Sequence, residues 1–157
     1  MTGGAELVYV RKVTDARDDF RRRIWRHRIG TDPGTDRPVD GPGLYDDHTY
    51  YSVDVSEDGR WLVVGARVGT ARRDSLWIGE LDGGPLTPVL TQVDDIQCDA
   101  WVETDGRLYL LTTDGAPRRR LAVTDPGTPW REHWRELIAE DPEAVLTGTT
   151  WLEPGGG

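Results

Sequence analysis

Cysteine occurs once in the 157 residues, at Cys98. A single thiol allows no intramolecular disulfide, so a reducing compartment is the simplest setting. Lysine is nearly absent (Lys12), and no Gly-x-x-x-x-Gly-Lys-Ser loop exists to cradle a phosphate. No stretch approaches the roughly 18 apolar residues that a membrane-spanning helix needs. Residues Met1 to Glu6 offer neither a basic n-region nor an apolar h-region, so no signal peptide is expected. Basic residues are outnumbered 28 to 19 by acidic ones, leaving a net charge of -9. An acidic surface repels phosphate, which makes nucleic acid and anionic membrane poor partners. A cytoplasmic, soluble protein is the expectation.

The residues of a self-sufficient catalytic site are also missing. Ser52, Ser56 and Ser75 are the serines, and none sits in Gly-x-Ser-x-Gly. Ser56 precedes an Asp-Gly pair and reads as turn chemistry. His27, His48 and His133 lie at no metal-ligand spacing, and His-Glu-x-x-His does not occur. Cys98 stands alone and reads as a small buried side chain rather than a nucleophile. Asp32, Asp36 and Asp40 recur every four residues in a Gly/Pro-rich loop, but they do not follow the spacing of an EF-hand. No metal, no cofactor and no catalytic residue is therefore assigned to this chain.

Glycine (19), proline (10) and tryptophan (7) are plentiful, as in a fold of many short strands and turns. A repeat is visible. Val53 to Val64 reads as a strand, an Asp58-Gly59 turn and a second strand. Trp101 to Leu111 repeats that unit around Asp105-Gly106. The two Asp-Gly-Arg triplets, 58–60 and 105–107, lie 47 residues apart. Asp-Gly between alternating apolar runs is a strong hairpin signal, because glycine accepts the positive φ of a tight turn. Third strands follow at Leu76 to Leu81 and Arg120 to Val123. Fourth strands follow at Thr87 to Leu90 and Trp134 to Ile138. Four antiparallel strands every ~40–50 residues is the spacing of β-propeller blades.

The expected fold class is thus all-β: a partial β-propeller of four-stranded antiparallel blades. Residues 5–43 hold an incomplete blade, with strands at Glu6 to Arg11, Arg23 to Ile29 and around Arg37 to Asp40. A long, charged, mobile connection is expected over Lys12 to Arg22. Full blades are expected at 50–93 and 98–141, and the start of a further blade at 144–152. A β-sandwich with two similar hairpins is the competing architecture. Over Pro129 to Glu140, Trp130, Trp134, Leu137 and Ile138 have helical spacing. A short helical turn near Trp130 to His133, then a strand, is expected there. The clusters Arg21-Arg22-Arg23, Arg72-Arg73 and Arg118-Arg119-Arg120 all precede a third strand. They would share one rim, either pairing locally with aspartates or docking on an acidic neighbour.

These segments resemble a family. Ile24 to Asp32, with Asp36 beyond, looks like the "YxHxLGTD…D" strand and turn of prolyl oligopeptidase-type serine peptidases. Val55 to Leu62 resembles their "SEDGRYL" hairpin. Leu108 to Leu121 is similar to their "xLTNxxAPxxRL", and Trp134 to Ile138 to their "WxxLIPE". The motifs come in the family's order over roughly residues 5 to 146. The resemblance implies the middle blades of a seven-bladed propeller. In such enzymes that propeller stands over an α/β-hydrolase domain, which carries the Ser, Asp and His of catalysis and cleaves short peptides after proline.

The resemblance further implies that Arg67 reaches a peptide backbone, since it matches a cavity-facing Arg of the family. Thr70 aligns with a Cys of some members, and Val8 with a Phe; both depart from the family's pocket lining. The implied function is a non-catalytic gating and contacting element for short peptides, with the parent's hydrolase domain as partner. A free-standing propeller module that binds protein by its rim is the alternative. A run of about three blades cannot close a ring, so self-association through bare terminal blades is expected in either case.

Overall fold

A computed structural model describes residues 4–12, 22–46 and 50–152. Of the connection expected to be mobile over Lys12 to Arg22, residues 13–21 lie outside the described residues, as does His48, while Lys12 ends one strand and Arg22 begins the next. Among the described residues, eleven strands form three separate antiparallel sheets. The first sheet holds β1 (Glu6–Lys12), β2 (Arg22–Arg28) and β3 (Arg37–Pro38). The second holds β4 (Tyr50–Val55), β5 (Trp61–Arg67), β6 (Ser75–Glu80) and β7 (Thr87–Leu90). The third holds β8 (Cys98–Val102), β9 (Leu108–Thr112), β10 (Arg120–Thr124) and β11 (Arg135–Ile138). Strands pair in chain order within each sheet, which is the up-and-down order of a propeller blade. Three sheets, each built from consecutive strands, exclude the two-sheet sandwich.

Both Asp-Gly hairpins form for the expected reason. Gly59 has φ +72° and Gly106 φ +76°, values that glycine adopts without steric cost. The aspartate before each glycine pins its turn. Asp58 Oδ1 accepts from the Arg60 N–H at 3.0 Å, and Asp105 Oδ1 from the Arg107 N–H at 2.9 Å. Ser56 Oγ donates to Asp58 at 2.6 Å and accepts from the Trp61 N–H at 2.9 Å, so its hydroxyl is spent on the turn. Residues Arg131–His133 form a single 3-10 turn before β11, and no α-helix occurs among the described residues.

The apolar side chains fill the seams between sheets. Ile24, Leu44, Leu62, Val64 and Trp77 pack between the first and second sheets. Val63, Leu76, Ile78, Leu90, Leu108 and Leu110 pack between the second and third. Alternation along β5 serves both seams: Leu62 and Val64 face one way, Val63 the other. That is why β5 reads as a nearly continuous apolar run. Polar ties close each seam. The Arg26 guanidinium of β2 reaches the Leu81 carbonyl and the carboxylates of Glu6 and Asp82.

The far side of the third sheet has no sheet against it among the described residues. Tyr109, Leu111, Leu121 and Val123 form a cluster there, with Trp101 and Leu146 against it. Residues 144–152, expected as the opening of a further blade, carry no strand. A strand needs a ladder partner, and here the segment finds only an apolar surface. It lays Leu146 and Trp151 across that surface instead. The Leu146 N–H donates to the Arg118 carbonyl at 3.0 Å, and the Trp151 ring meets Tyr109 edge-on at 5.4 Å.

The seams make a clear prediction. Leu110 is fully buried between the second and third sheets, whereas Val93 is 90% exposed. Leu110→Ala is expected to destabilise by about 2–5 kcal/mol. Val93→Ala is expected to stay within about 0.5 kcal/mol. Urea unfolding of the two variants checks the difference.

Candidate peptide-contact site

The seam between the second and third sheets ends in a concavity of about 590 Å³. Arg67, the last residue of β5, stands at its wall with Thr70 from the turn that follows. Tyr50 and Ser52 of β4 and Asp99 of β8 also line it. Arg67 points its guanidinium at Asp74, with Nη2 3.1 Å from Oδ1. The Arg67 side chain is 45% exposed, that of Asp74 only 7%. Thus the arginine faces solvent while its anchor does not.

Asp74 is held from the third sheet as well. Its Oδ2 accepts from the Cys98 N–H at 2.9 Å, and its own N–H donates to the Ile96 carbonyl at 2.7 Å. Burial raises the Asp74 carboxyl above its usual value; the Cys98 N–H and the Arg67 charge pull against that rise. Burial also pushes the Cys98 thiol well up, which keeps it protonated at neutral pH. The thiol is packing material in this seam, as its lone position in the sequence suggests.

The structure brings Arg67 and Thr70 together on one concavity. Val8 lies elsewhere. It packs beside Val10 into the core between the first and second sheets, since alternation along β1 turns it inward. The basic clusters lie beside the concavity and are largely engaged. Arg22 lies over the Tyr50 ring at 5.2 Å and Arg23 over Tyr45 at 5.0 Å. Arg73 meets Asp95 and Arg119 meets Asp99, both at 3.8 Å; Arg120 meets Asp114 at 3.2 Å. Arg73, Arg119 and Arg120 thus pair locally with aspartates, while Arg22 and Arg23 lie against tyrosine rings.

No nucleophile-and-base constellation forms among the described residues. His27 sits on the first sheet against Asp36, with Nδ1 2.6 Å from Oδ1, and Asp36 Oδ2 accepts from the Tyr9 hydroxyl at 2.7 Å. His133 lines a different concavity with Arg107 and Arg135. Asp32 caps a 3-10 turn through the Gly34 N–H at 2.8 Å, so Asp32 and Asp36 are committed to separate partners. No group of three or more acidic, His or Cys side chains suited to a metal occurs among the described residues.

Three comparisons bear on this arrangement. The family described as the N-terminal β-propeller domain of prolyl oligopeptidase matches residues 4–153. The chain belongs to that family. A prolyl endopeptidase of Elizabethkingia meningoseptica is 32% identical over 139 residues, which cover 87% of this chain and 18% of the relative. Prolyl oligopeptidase A of Amanita bisporigera is 28% identical over 79% of this chain and 17% of its own length. The chain therefore spans about a fifth of the curated relatives that it matches. Among solved structures, one from a study of two prolyl endopeptidases superposes with a TM-score of 0.77 at 24% identity, covering 92% of this chain and 22% of that one. Prolyl oligopeptidase B from Galerina marginata gives 0.70 at 23% identity, covering 91% and 20%. These likenesses show a shared propeller fold.

Asp74, Tyr50, Ser52 and Asp99 are site residues that the family resemblance does not point to. Asp74 follows Arg72 and Arg73 in a polar turn, and such a charged run reads as solvated.

The Tyr9–Asp36–His27 cluster predicts a pH effect. Burial opposes ionisation of Asp36, but hydrogen bonds from Tyr9 and His27 outweigh it, and the carboxyl sits below its usual value. A folded-state pKa below the unfolded one stabilises fully above the unfolded value and fades as pH falls through the folded one. Asp36→Asn is thus expected to lower stability at neutral pH and to flatten the acid side of the profile. Urea midpoints between pH 7 and pH 3 test this; a variant parallel to the parent at every pH would contradict it.

Proposed function

We propose that this chain is the non-catalytic, peptide-contacting part of a prolyl oligopeptidase-like serine peptidase. Its role is to gate and orient short peptides for an α/β-hydrolase domain of the parent enzyme. The observation that carries this reading is Arg67, whose guanidinium is half exposed over a concavity and held from behind by a buried carboxylate. An arginine so placed offers fixed N–H donors to the carbonyls of an extended peptide. Thr70 adds a hydroxyl to the same wall. Val8 packs in the core between the first and second sheets, away from this wall.

Two measurements test the reading. A short proline-containing peptide should bind the chain without being cleaved, and Arg67→Ala should weaken binding about ten- to a hundredfold, as for the loss of a charge-assisted hydrogen bond. Serine-inhibitor-sensitive cleavage by this chain alone would contradict the non-catalytic role. Unchanged binding by the variant would remove Arg67 from it.

The bare side of the third sheet supports a second element of the proposal. Leu137 and Ile138 are each 47% exposed beside Trp151 at 42% and Leu152 at 86%. Such a surface calls for cover by further blades or by a second copy. Sedimentation of the purified chain is expected to show concentration-dependent association. A monomer that persists at high concentration and binds no hydrophobic dye would count against it.

A further inference from the structure

Asp74 commits both carboxylate oxygens and its backbone N–H at one seam. Oδ1 holds Arg67, which belongs to the second sheet. Oδ2 takes the N–H of Cys98, the first residue of the third sheet. Its backbone N–H takes the carbonyl of Ile96, in the connection that enters β8. One side chain therefore links the exposed arginine to the neighbouring blade. The groups that face this carboxylate are Arg67, Cys98, Asp99 and Arg119, with Arg72 and Arg73 on its own turn. Asp99 and Arg119 stand 3.8 Å apart, and Arg73 leans toward Asp95. Arg67 is the cation whose guanidinium lies at ion-pair distance from Asp74.

A long arginine side chain loses rotamer freedom when a ligand fixes it. A carboxylate that fixes it beforehand removes that cost from binding. The pose also depends on the seam. If the second and third sheets part, Oδ2 loses the Cys98 N–H, and a buried charge left without it is costly. We propose that Asp74 is a positioning residue that holds Arg67 ready for a peptide, and that this pose exists only while the seam between the two blades is closed. The inference rests on the reading that Arg67 contacts peptide. Asp74→Asn is suited to test it. The amide keeps the shape and an acceptor for the Cys98 N–H, and it removes a charge that burial makes costly.

Two readouts separate this inference from that reading. The first is the guanidinium signals of Arg67 in nitrogen-15 NMR of the whole chain. They should be those of a restrained side chain in the parent and average to those of a free arginine in D74N. Acidifying the unmodified chain should release the same signals as Asp74 takes up a proton, a check that needs no substitution. The second is affinity for a short proline-containing peptide. D74N should weaken it, by no more than R67A does, and the double variant should be no weaker than R67A alone. Arg67 signals that stay restrained in D74N, or losses that multiply in the double variant, would overturn the proposal. If R67A leaves affinity intact, the peptide reading fails, while the guanidinium signals still decide the role of Asp74.

Discussion

Apolar packing between the second and third sheets is the constraint on which the site depends. No disulfide is available, since Cys98 is the only cysteine. Each sheet has one or both faces apolar and cannot bury them alone. Leu76, Ile78 and Leu90 from one sheet meet Leu108 and Leu110 from the next. Once they meet, the edge of that seam is fixed, and with it the placing of Asp74 against Cys98. The Arg67 guanidinium then has an anchor. The proposed peptide contact is thus built on a joint between repeats, not on a pocket within one of them.

The hairpins were legible because their chemistry is local. Asp58-Gly59 and Asp105-Gly106 need a positive φ that glycine tolerates, and that need shows in two letters of sequence. The 3-10 turn before β11 was legible too, from the conflict between helical spacing and a short strand. Arg67 and Thr70 were reached through family resemblance, and the structure brings them to one concavity. Asp74 was not legible. Its burial depends on β8 arriving beside it from more than twenty residues further along, and nothing in Arg72-Arg73-Asp74 records that arrival. Val8 had the opposite problem: a residue matched to a lining position is turned into the core by strand alternation. Residues 144–152 have the composition of a strand, yet pairing needs a partner that local sequence does not contain.

The same physics explains why the chemistry is sparse. The family places this region within an N-terminal propeller, and the chain spans about a fifth of the curated relatives. Ser56 is consumed by a turn, and Cys98 is sealed in a seam. His27, on the first sheet, is tied to Asp36 in the loop before β3. Ser56, Cys98 and His27 thus each have a structural occupation. The proposed contact asks only for a donor group on a wall, which Arg67 offers.

Hydrogen exchange, with and without a short proline-containing peptide, tests the central claim most directly. A site built at the joint between two blades predicts that peptide slows exchange in residues 65–74 and 96–99 together, and leaves the Asp-Gly turns at 58–60 and 105–107 unchanged. Protection confined to one of those two segments, or appearing on the open side of the third sheet instead, would contradict it.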